Sequence, residues 1–187
     1  FREHATTKLL INILENHDHE RFEFFLLDNG YQDNSRYSER ITNCGIPLIK
    51  IEQHSDAEAS SLIDELKIDI IVNLNGYFGL NRLRLLFSKP SPIVINYLGF
   101  PGTVGHGSHD FIIADHVVID EVNSPYFSEN VLFMPHCYQP TDSLRPLPDK
   151  SLGRRYFGLT DEAFYFCSFN NNSKITKEIA ESWARIL

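Results

Sequence analysis

The chain has 187 residues, of which 42% are hydrophobic and 12% aromatic, and its 17 basic and 25 acidic side chains give a formal net charge of −8. That length and apolar content suit one domain, or one domain with the start of a second, around a sizeable core, and they exclude an intrinsically disordered chain. The acidic balance excludes a protein that holds nucleic acid through a generally basic surface, because phosphate neutralisation needs clustered Lys and Arg.

In chain order, Leu9, Leu10, Ile13 and Leu14 share one face at helical spacing, and Arg21–Leu27 reads as a strand ending in the turn Asp28-Asn29-Gly30. A second helix is expected near Tyr37–Asn43, a strand at Pro47–Ile51, a third helix across Ala57–Leu66 with Leu62, Ile63 and Leu66 inward, and a strand at Asp69–Leu74. The short apolar segments Ile93–Leu98 and Phe111–Ala114 have the form of strands buried on both faces of a parallel sheet. The pattern is therefore doubly wound α/β. Gln139–Arg155 turns polar and aperiodic, with Pro140, Pro146, Pro148 and Gly153, and reads as a linker. After it, Phe164–Phe169 is predicted as a new strand and Thr176–Leu187 as a new helix, with Ile175, Ile179, Trp183 and Ile186 on one stripe. The resulting division is a first lobe over 1–138, a linker over 139–160 and the beginning of a second lobe over 161–187.

The three cysteines, Cys44, Cys137 and Cys167, are far apart and form no Cys-x-x-Cys pair, so neither a disulfide framework nor a structural zinc site is indicated and a reducing cytoplasm is the expected setting. No apolar run approaches the roughly 18 residues of a membrane span, and the first residues are not a signal peptide. The chain opens on Phe1 rather than Met, which is expected of a piece cut from something longer.

Two constellations suggest anion chemistry. No acidic residue lies between Asp69 and Asp110, whereas Arg82, Arg84 and Lys89 do, and the interval holds two turns after predicted strands, Asn73–Tyr77 and Leu98–Thr103. Ligands of open α/β sheets bind outside the carboxyl ends of strands; the alternative is a pair of ordinary turns joined by a solvated basic helix. In the second, Phe166–Thr176, Lys174 stands just ahead of a helix start, where unpaired N–H groups and the dipole favour a diphosphate. There the alternative is a simple asparagine loop with Thr176 as a cap. His106, His109 and Asp110 invite a metal reading, which lacks an identifiable third convergent ligand in a rigid cage. No Asp-x-Asp pair occurs, which counts against carboxylate-bound metal for holding a diphosphate. His4, beside Thr6 at the first helix start, is a candidate base or donor, or else a capping residue.

Val72–Tyr77, Asn96–Thr103, Asp110–Asp115, Tyr126–Glu129, Met134–His136, and Phe166–Lys174 running on to Trp183–Leu187 together resemble, over essentially the whole chain, the catalytic region of the protein O-linked N-acetylglucosaminyltransferases and their SPINDLY-type relatives. The resemblance implies a GT-B architecture of two Rossmann-like lobes, this chain holding most of the first and the opening of the second. It implies inverting transfer of a sugar, from UDP-GlcNAc or another nucleotide sugar, to Ser or Thr of a protein acceptor. No metal ion, cofactor, nucleic acid or membrane is implied, and a helical repeat array commonly precedes such a region.

By the same resemblance, Lys174 contacts the diphosphate, Asn171 is a polar contact near the nucleotide, and Leu98 and Gly99 border the donor sugar and phosphates. His4 matches the functionally important histidine of the family's Asp-Phe-Gly-Asn-His-Pro-Thr stretch and Thr6 its threonine, while Arg2, Glu3 and Ala5 depart from it. The loop His106–His109 departs from a mostly apolar family pattern. SPINDLY-type members, which match Phe169-Asn170-Asn171 at least as well, use a fucosyl donor. The competing reading from another class is a non-catalytic peptide-binding scaffold; a generic nucleotide-binding domain is disfavoured by the lack of Gly-x-Gly-x-x-Gly.

Overall fold

The structure, a computed structural model, describes every residue except 32, 148 and 150, so Pro148 of the expected linker lies outside the described residues. It divides into two compact units, Phe1–Arg145 and Pro146–Leu187.

In the first unit, helix α1 (Ala5–Asn16) is capped by His4 and buries Leu10, Ile11 and Leu14. The short strand β1 (Leu26–Asp28) pairs in parallel with β2 (Leu48–Lys50), and α2 (Arg36–Asn43) lies between them in sequence. Leu10, Ile11, Leu14, Leu26, Tyr37, Ile41, Ile46 and Leu98 form one core cluster, which ties α1 and α2 to a turn just beyond a strand of the second sheet, where Leu98 sits. β1 is shorter than the strand expected over Arg21–Leu27. Among the described residues it pairs only as Leu26–Asp28 with Leu48–Lys50, so Arg21–Phe25 has no ladder to join, and Phe22 is exposed.

Helix α3 (Asp56–Glu65) starts at a capping box in which Ser55 accepts from the Glu58 N–H and Glu58 accepts from the Ser55 N–H. It leads into β3 (Ile70–Asn73), α4 (Leu83–Phe87), β4 (Ile93–Asn96), β5 (Phe111–Ala114) and β6 (Asn130–Phe133). The four strands form a parallel sheet in the order β3-β4-β5-β6. Ala59 and Ile63 of α3 pack with Ile71 of β3 and with Leu85 and Leu86 of α4; Leu62 and Leu66 are only partly covered.

The expectation of strands buried on both faces holds in full for one face only: on the other, Ile93, Ile95, Phe111 and Ile113 of β4 and β5 are half-buried. Burial alternates along β3, β4 and β5, with Asn73, Val94, Asn96, Ile112 and Ala114 on the covered face and Ile70 and Val72 exposed on the other. Period-two burial is what a sheet covered on one face produces, whatever the hydrophobicity of the run.

The first unit reaches Arg145 because Asp142 is drawn into it. Arg40 makes paired hydrogen bonds to Glu15 (2.7 and 2.6 Å) and to Asp142 (2.6 and 2.9 Å), and Tyr37 donates to Asp142 at 3.3 Å. This joins α1, α2 and the segment after β6. Arg40 and its hydrogen bonds hold the Asp142 carboxyl down to about 2.

The second unit contains a short 3-10 turn (Asn172–Lys174) and helix α5 (Lys177–Ile186), capped by Thr176. Phe164–Phe169 does not form the expected strand, and Phe164, Phe166 and Phe169 are exposed. A strand needs a neighbour for its backbone groups, and no strand occurs among the described residues of this unit. Ile175, Ile179, Trp183 and Ile186 do fall on one stripe, and all four stay exposed. Among the described residues, no helix is long and apolar enough to cross a membrane.

Candidate active site

Parallel strands β4 and β5 must be joined by a crossover, usually a helix. Here residues 97–110 make the connection with no helix at all. Backbone groups left unpaired by secondary structure must find other partners, and side chains supply them. Asn96 donates to the Gly102 carbonyl at 2.9 Å, and Tyr77 donates to the Val104 carbonyl at 2.7 Å. The buried Glu129 carboxylate accepts from the Thr103 hydroxyl at 2.6 Å and the Val104 N–H at 2.7 Å. The result is a clamped loop at the carboxyl ends of β3 and β4, where open α/β sheets bind ligands.

Leu98 and Gly99 sit at the centre of this loop. Leu98 has φ +77°, and the Gly99 N–H donates to the Tyr97 carbonyl at 3.1 Å, so Leu98 occupies the strained form of the γ-turn. A bulky residue held at positive φ must be over-determined by its surroundings. Leu98 is: its side chain is buried in the core cluster with Leu10, Ile11 and Leu14. Gly99 is needed for a different reason. A Cβ there would stand 2.0 Å from the Leu74 carbonyl oxygen, so the turn after β4 rests directly on the backbone of the turn after β3.

That second turn is built by Asn73, whose side-chain oxygen accepts from the N–H groups of Asn75 (3.1 Å) and Gly76 (3.2 Å). Asn73 and Asn96 are register partners on the covered face. The Asn96 side-chain oxygen is buried with no hydrogen-bond partner among the described residues and faces Gly76, where a Cβ would lie 3.7 Å from it.

His4 joins the same edge. Its Nδ1 accepts from the Thr6 N–H at 3.3 Å, which caps α1, and its ring lies 6.4 Å from that of Phe78 in the loop after β3. The Glu3 N–H donates to Asp33 in the loop after β1. The structure thus brings His4, Thr6, Leu98 and Gly99 to the carboxyl end of the sheets.

Lys174 and Asn171 belong to the second unit. Asn171 accepts from the Ser173 N–H at 3.0 Å, capping the 3-10 turn that ends in the exposed Lys174. Thr176 accepts from the Ile179 N–H at 3.4 Å two residues further on. An ammonium therefore stands just before the start of a ten-residue helix.

In the basic interval Arg82–Lys89, Arg84 is exposed, whereas the other two cations are engaged within the fold. Arg82 is spent on Asp56, Asn29 and the carbonyls of Ile51 and His54, and Lys89 on Asp110. These cations fasten α4 to its neighbours. His106, His109 and Asp110 are likewise engaged in hydrogen bonds. His109 contacts Asn73 and Ser108, His106 contacts Ser108, and Asp110 accepts from Lys89 and the Val94 N–H. Sequence reasoning missed Asn73, Asn96 and Glu129 as individual residues. A signal was present: Ile-Ile-Val-Asn and Ile-Val-Ile-Asn each end an apolar strand in a buried amide just before a glycine turn.

Glycine turns at the carboxyl ends of a parallel α/β sheet, with a histidine-capped helix beside them, make this the candidate ligand-binding end of the fold. The chain belongs to glycosyl transferase family 41, whose model matches residues 1–151. It is 29% identical over its whole length to the probable UDP-N-acetylglucosamine--peptide N-acetylglucosaminyltransferase SEC of Arabidopsis thaliana, covering 20% of that protein. It is also 30% identical, over 80% of the chain and 13% of the relative, to the UDP-N-acetylglucosamine--peptide N-acetylglucosaminyltransferase of Caenorhabditis elegans. A SPINDLY relative from Eustoma exaltatum is 28% identical over 91% of the chain and 19% of its own length. Among solved structures, a mutant O-GlcNAc transferase of Thermobaculum terrenum matches 79% of this chain and 28% of its own with TM-score 0.72 and 23% identity. That likeness shows the fold, Rossmann-like α/β of GT-B type. The chain spans about a fifth or less of the length of the curated relatives it matches.

Proposed function

We propose that this chain forms the donor-side edge of a protein O-glycosyltransferase that moves a sugar, GlcNAc from UDP-GlcNAc, onto Ser or Thr hydroxyls of protein acceptors. The observation that carries the reading is the strained Leu98–Gly99 turn seated on Leu74, at the strand ends of a family 41 fold. Strain of this kind persists where a backbone must present itself to a ligand.

The chemistry follows from what must be stabilised. Cleaving the bond from the anomeric carbon to the diphosphate develops negative charge on the leaving group, and preorganised positive charge is the main lever against it. Lys174 and the start of α5 supply that charge, with Asn171 as a polar contact near the nucleotide. Leu98, Gly99 and Thr6 line the donor, and His4, through Nε2, orients or relays a proton as the acceptor hydroxyl attacks. In this reading the transfer is inverting and the diphosphate is held without a metal ion, the latter in keeping with the lack of an Asp-x-Asp pair in these 187 residues. A reducing, cytoplasmic setting is in keeping with three cysteines that are all free thiols. A fucosyl donor is the second reading, favoured by Asn171 in the Phe169-Asn170-Asn171 turn.

The test is transfer itself. The protein at its full natural length is incubated with UDP-GlcNAc or GDP-fucose and a Ser/Thr-containing protein mixture in chelator, and adducts are read by mass spectrometry. Hydroxyl-linked GlcNAc is the expected product; hydroxyl-linked fucose moves the assignment to the second reading. No adduct from either donor, with a folded protein, overturns the transferase reading in favour of a scaffold.

A further inference from the structure

His109 is a buried imidazole that the proposed reaction does not use. It lies at the end of the helix-free crossover, 2% exposed. Its Nε2 is 3.0 Å from the Asn73 side-chain nitrogen, and its Nδ1 is 3.0 Å from the Ser108 hydroxyl. The directions of these bonds are fixed by bookkeeping of donors. The Asn73 oxygen faces two backbone N–H groups, so the other end of the amide must be the NH2 group, and its partner must be an acceptor. Nε2 therefore carries the lone pair, and the proton sits on Nδ1, donated to Ser108. The Ser108 hydroxyl in turn donates to His106 Nδ1 at 2.9 Å, which also accepts the Ser108 N–H at 3.1 Å. One relay of directional bonds thus runs from His106 to the backbone of Asn75 and Gly76.

We propose that His109 is a positioning residue for the turn at the carboxyl end of β3. Its neutral imidazole fixes the Asn73 amide, the amide fixes the Asn75–Gly76 backbone, and that turn presents the Leu74 carbonyl on which Gly99 rests. The proposal rests on the donor-site reading for its effect on ligand, but its structural half can be tested separately. Protonation breaks the relay: Nε2 then becomes a donor facing a donor, and the amide can pair with it only by turning its oxygen away from Asn75 and Gly76. Burial holds the imidazole below its ordinary range. The charged and titratable groups around it are Glu129 and Asp110, which favour the proton, and His106, which opposes it. Asp110 is itself paired with Lys89, and the Glu129 carboxylate is occupied by Thr103, Ser128 and the Val104 N–H.

The experiment compares wild type, His109→Gln and His109→Leu in the protein at its full natural length. Gln can offer a carbonyl oxygen to Asn73 at any pH, whereas Leu cannot. The first readout, amide hydrogen exchange of Asn75 and Gly76, needs no ligand. Relative to His109→Gln at the same pH, wild-type exchange is expected to rise about tenfold as the imidazole protonates, the worth of roughly one hydrogen bond. His109→Leu should show the raised rate throughout. The second readout, the pH profile of UDP-GlcNAc affinity, should fall with acid in wild type and stay flat in His109→Gln. Wild-type and His109→Gln exchange that track each other across the pH range overturn the proposal, even if the Leu variant fails to fold. The expected exchange pattern with no binding of UDP-GlcNAc by any variant overturns only the donor-site reading.

Discussion

Substituting Gly99 by Ala tests the geometry of the site at a single atom. The added Cβ would lie 2.0 Å from the Leu74 carbonyl oxygen, 3.1 Å from its carbon and 3.4 Å from Asn75 Cα, whereas Cβ contacts essentially never fall below 3.0 Å. All three neighbours are backbone, so no side chain can swing aside. The two turns must separate by about 1 Å, and overpacking of this kind costs about 1–3 kcal/mol. Gly107, in the same crossover, is the matched control, since nothing lies within 4 Å of its Cβ position and its φ is not in the left-handed region. Hydrogen exchange across residues 73–78 and 97–104 reads the result directly. Gly99→Ala should raise exchange in both segments by roughly 5- to 150-fold, the equivalent of that energy. Gly107→Ala should leave it unchanged or slightly slower, because it removes freedom from the unfolded chain. Wild-type exchange in Gly99→Ala, or equal disturbance by the two variants, would refute the seating of one turn on the other.

Arg40→Met removes the centre of a largely buried ion cluster and leaves Asp142 charged and uncompensated. A loss of about 3–5 kcal/mol in denaturant unfolding is expected. Because the Asp142 carboxyl is held near 2, below its unfolded value of 3.8, its contribution is full above about pH 4 and disappears as pH falls toward 2. Wild type should lose about 2 kcal/mol across that window and Arg40→Met much less, as acid titrations of unfolding will show. Lys174→Ala should weaken UDP binding by about 1.5–3 kcal/mol in calorimetry while leaving uridine binding unchanged, since only the diphosphate meets the ammonium. His4→Asn keeps an N-cap acceptor and should spare the stability of α1, whereas His4→Ala should cost about 0.5–2 kcal/mol. Both should lower kcat more than they weaken nucleotide binding; unchanged turnover in His4→Asn would reduce His4 to a cap.

The longer helices were legible in the sequence because their signals are local. The apolar stripes of α1 and α3, the Thr176 cap of α5 and the short runs of β3, β4 and β5 each lie within one stretch of chain. The errors came from partners that lie elsewhere. Arg21–Phe25 and Phe164–Phe169 have strand-like composition but no strand to pair with, and β6 was overlooked although Val131-Leu132-Phe133 is a short apolar run. For the site, family motifs pointed to Leu98, Gly99, His4 and Lys174 by position alone. The geometry there depends on residues far away in sequence: Leu98 is held at positive φ by a core that includes Leu10, Ile11 and Leu14, and Gly99 rests on Leu74. His109 shows the same limit, because its partner Asn73 is 36 residues distant. Charge along the chain likewise does not reveal that Arg82 is enclosed by Asp56 and Asn29.

Calorimetric titration of the protein at its full natural length with UDP-GlcNAc and with GDP-fucose, in chelator, tests the central claim most directly. Saturable, metal-independent binding of UDP-GlcNAc, weakened by Gly99→Ala but not by Gly107→Ala, is the result expected of a donor site at this sheet edge. Binding of neither nucleotide sugar by a folded protein would contradict it.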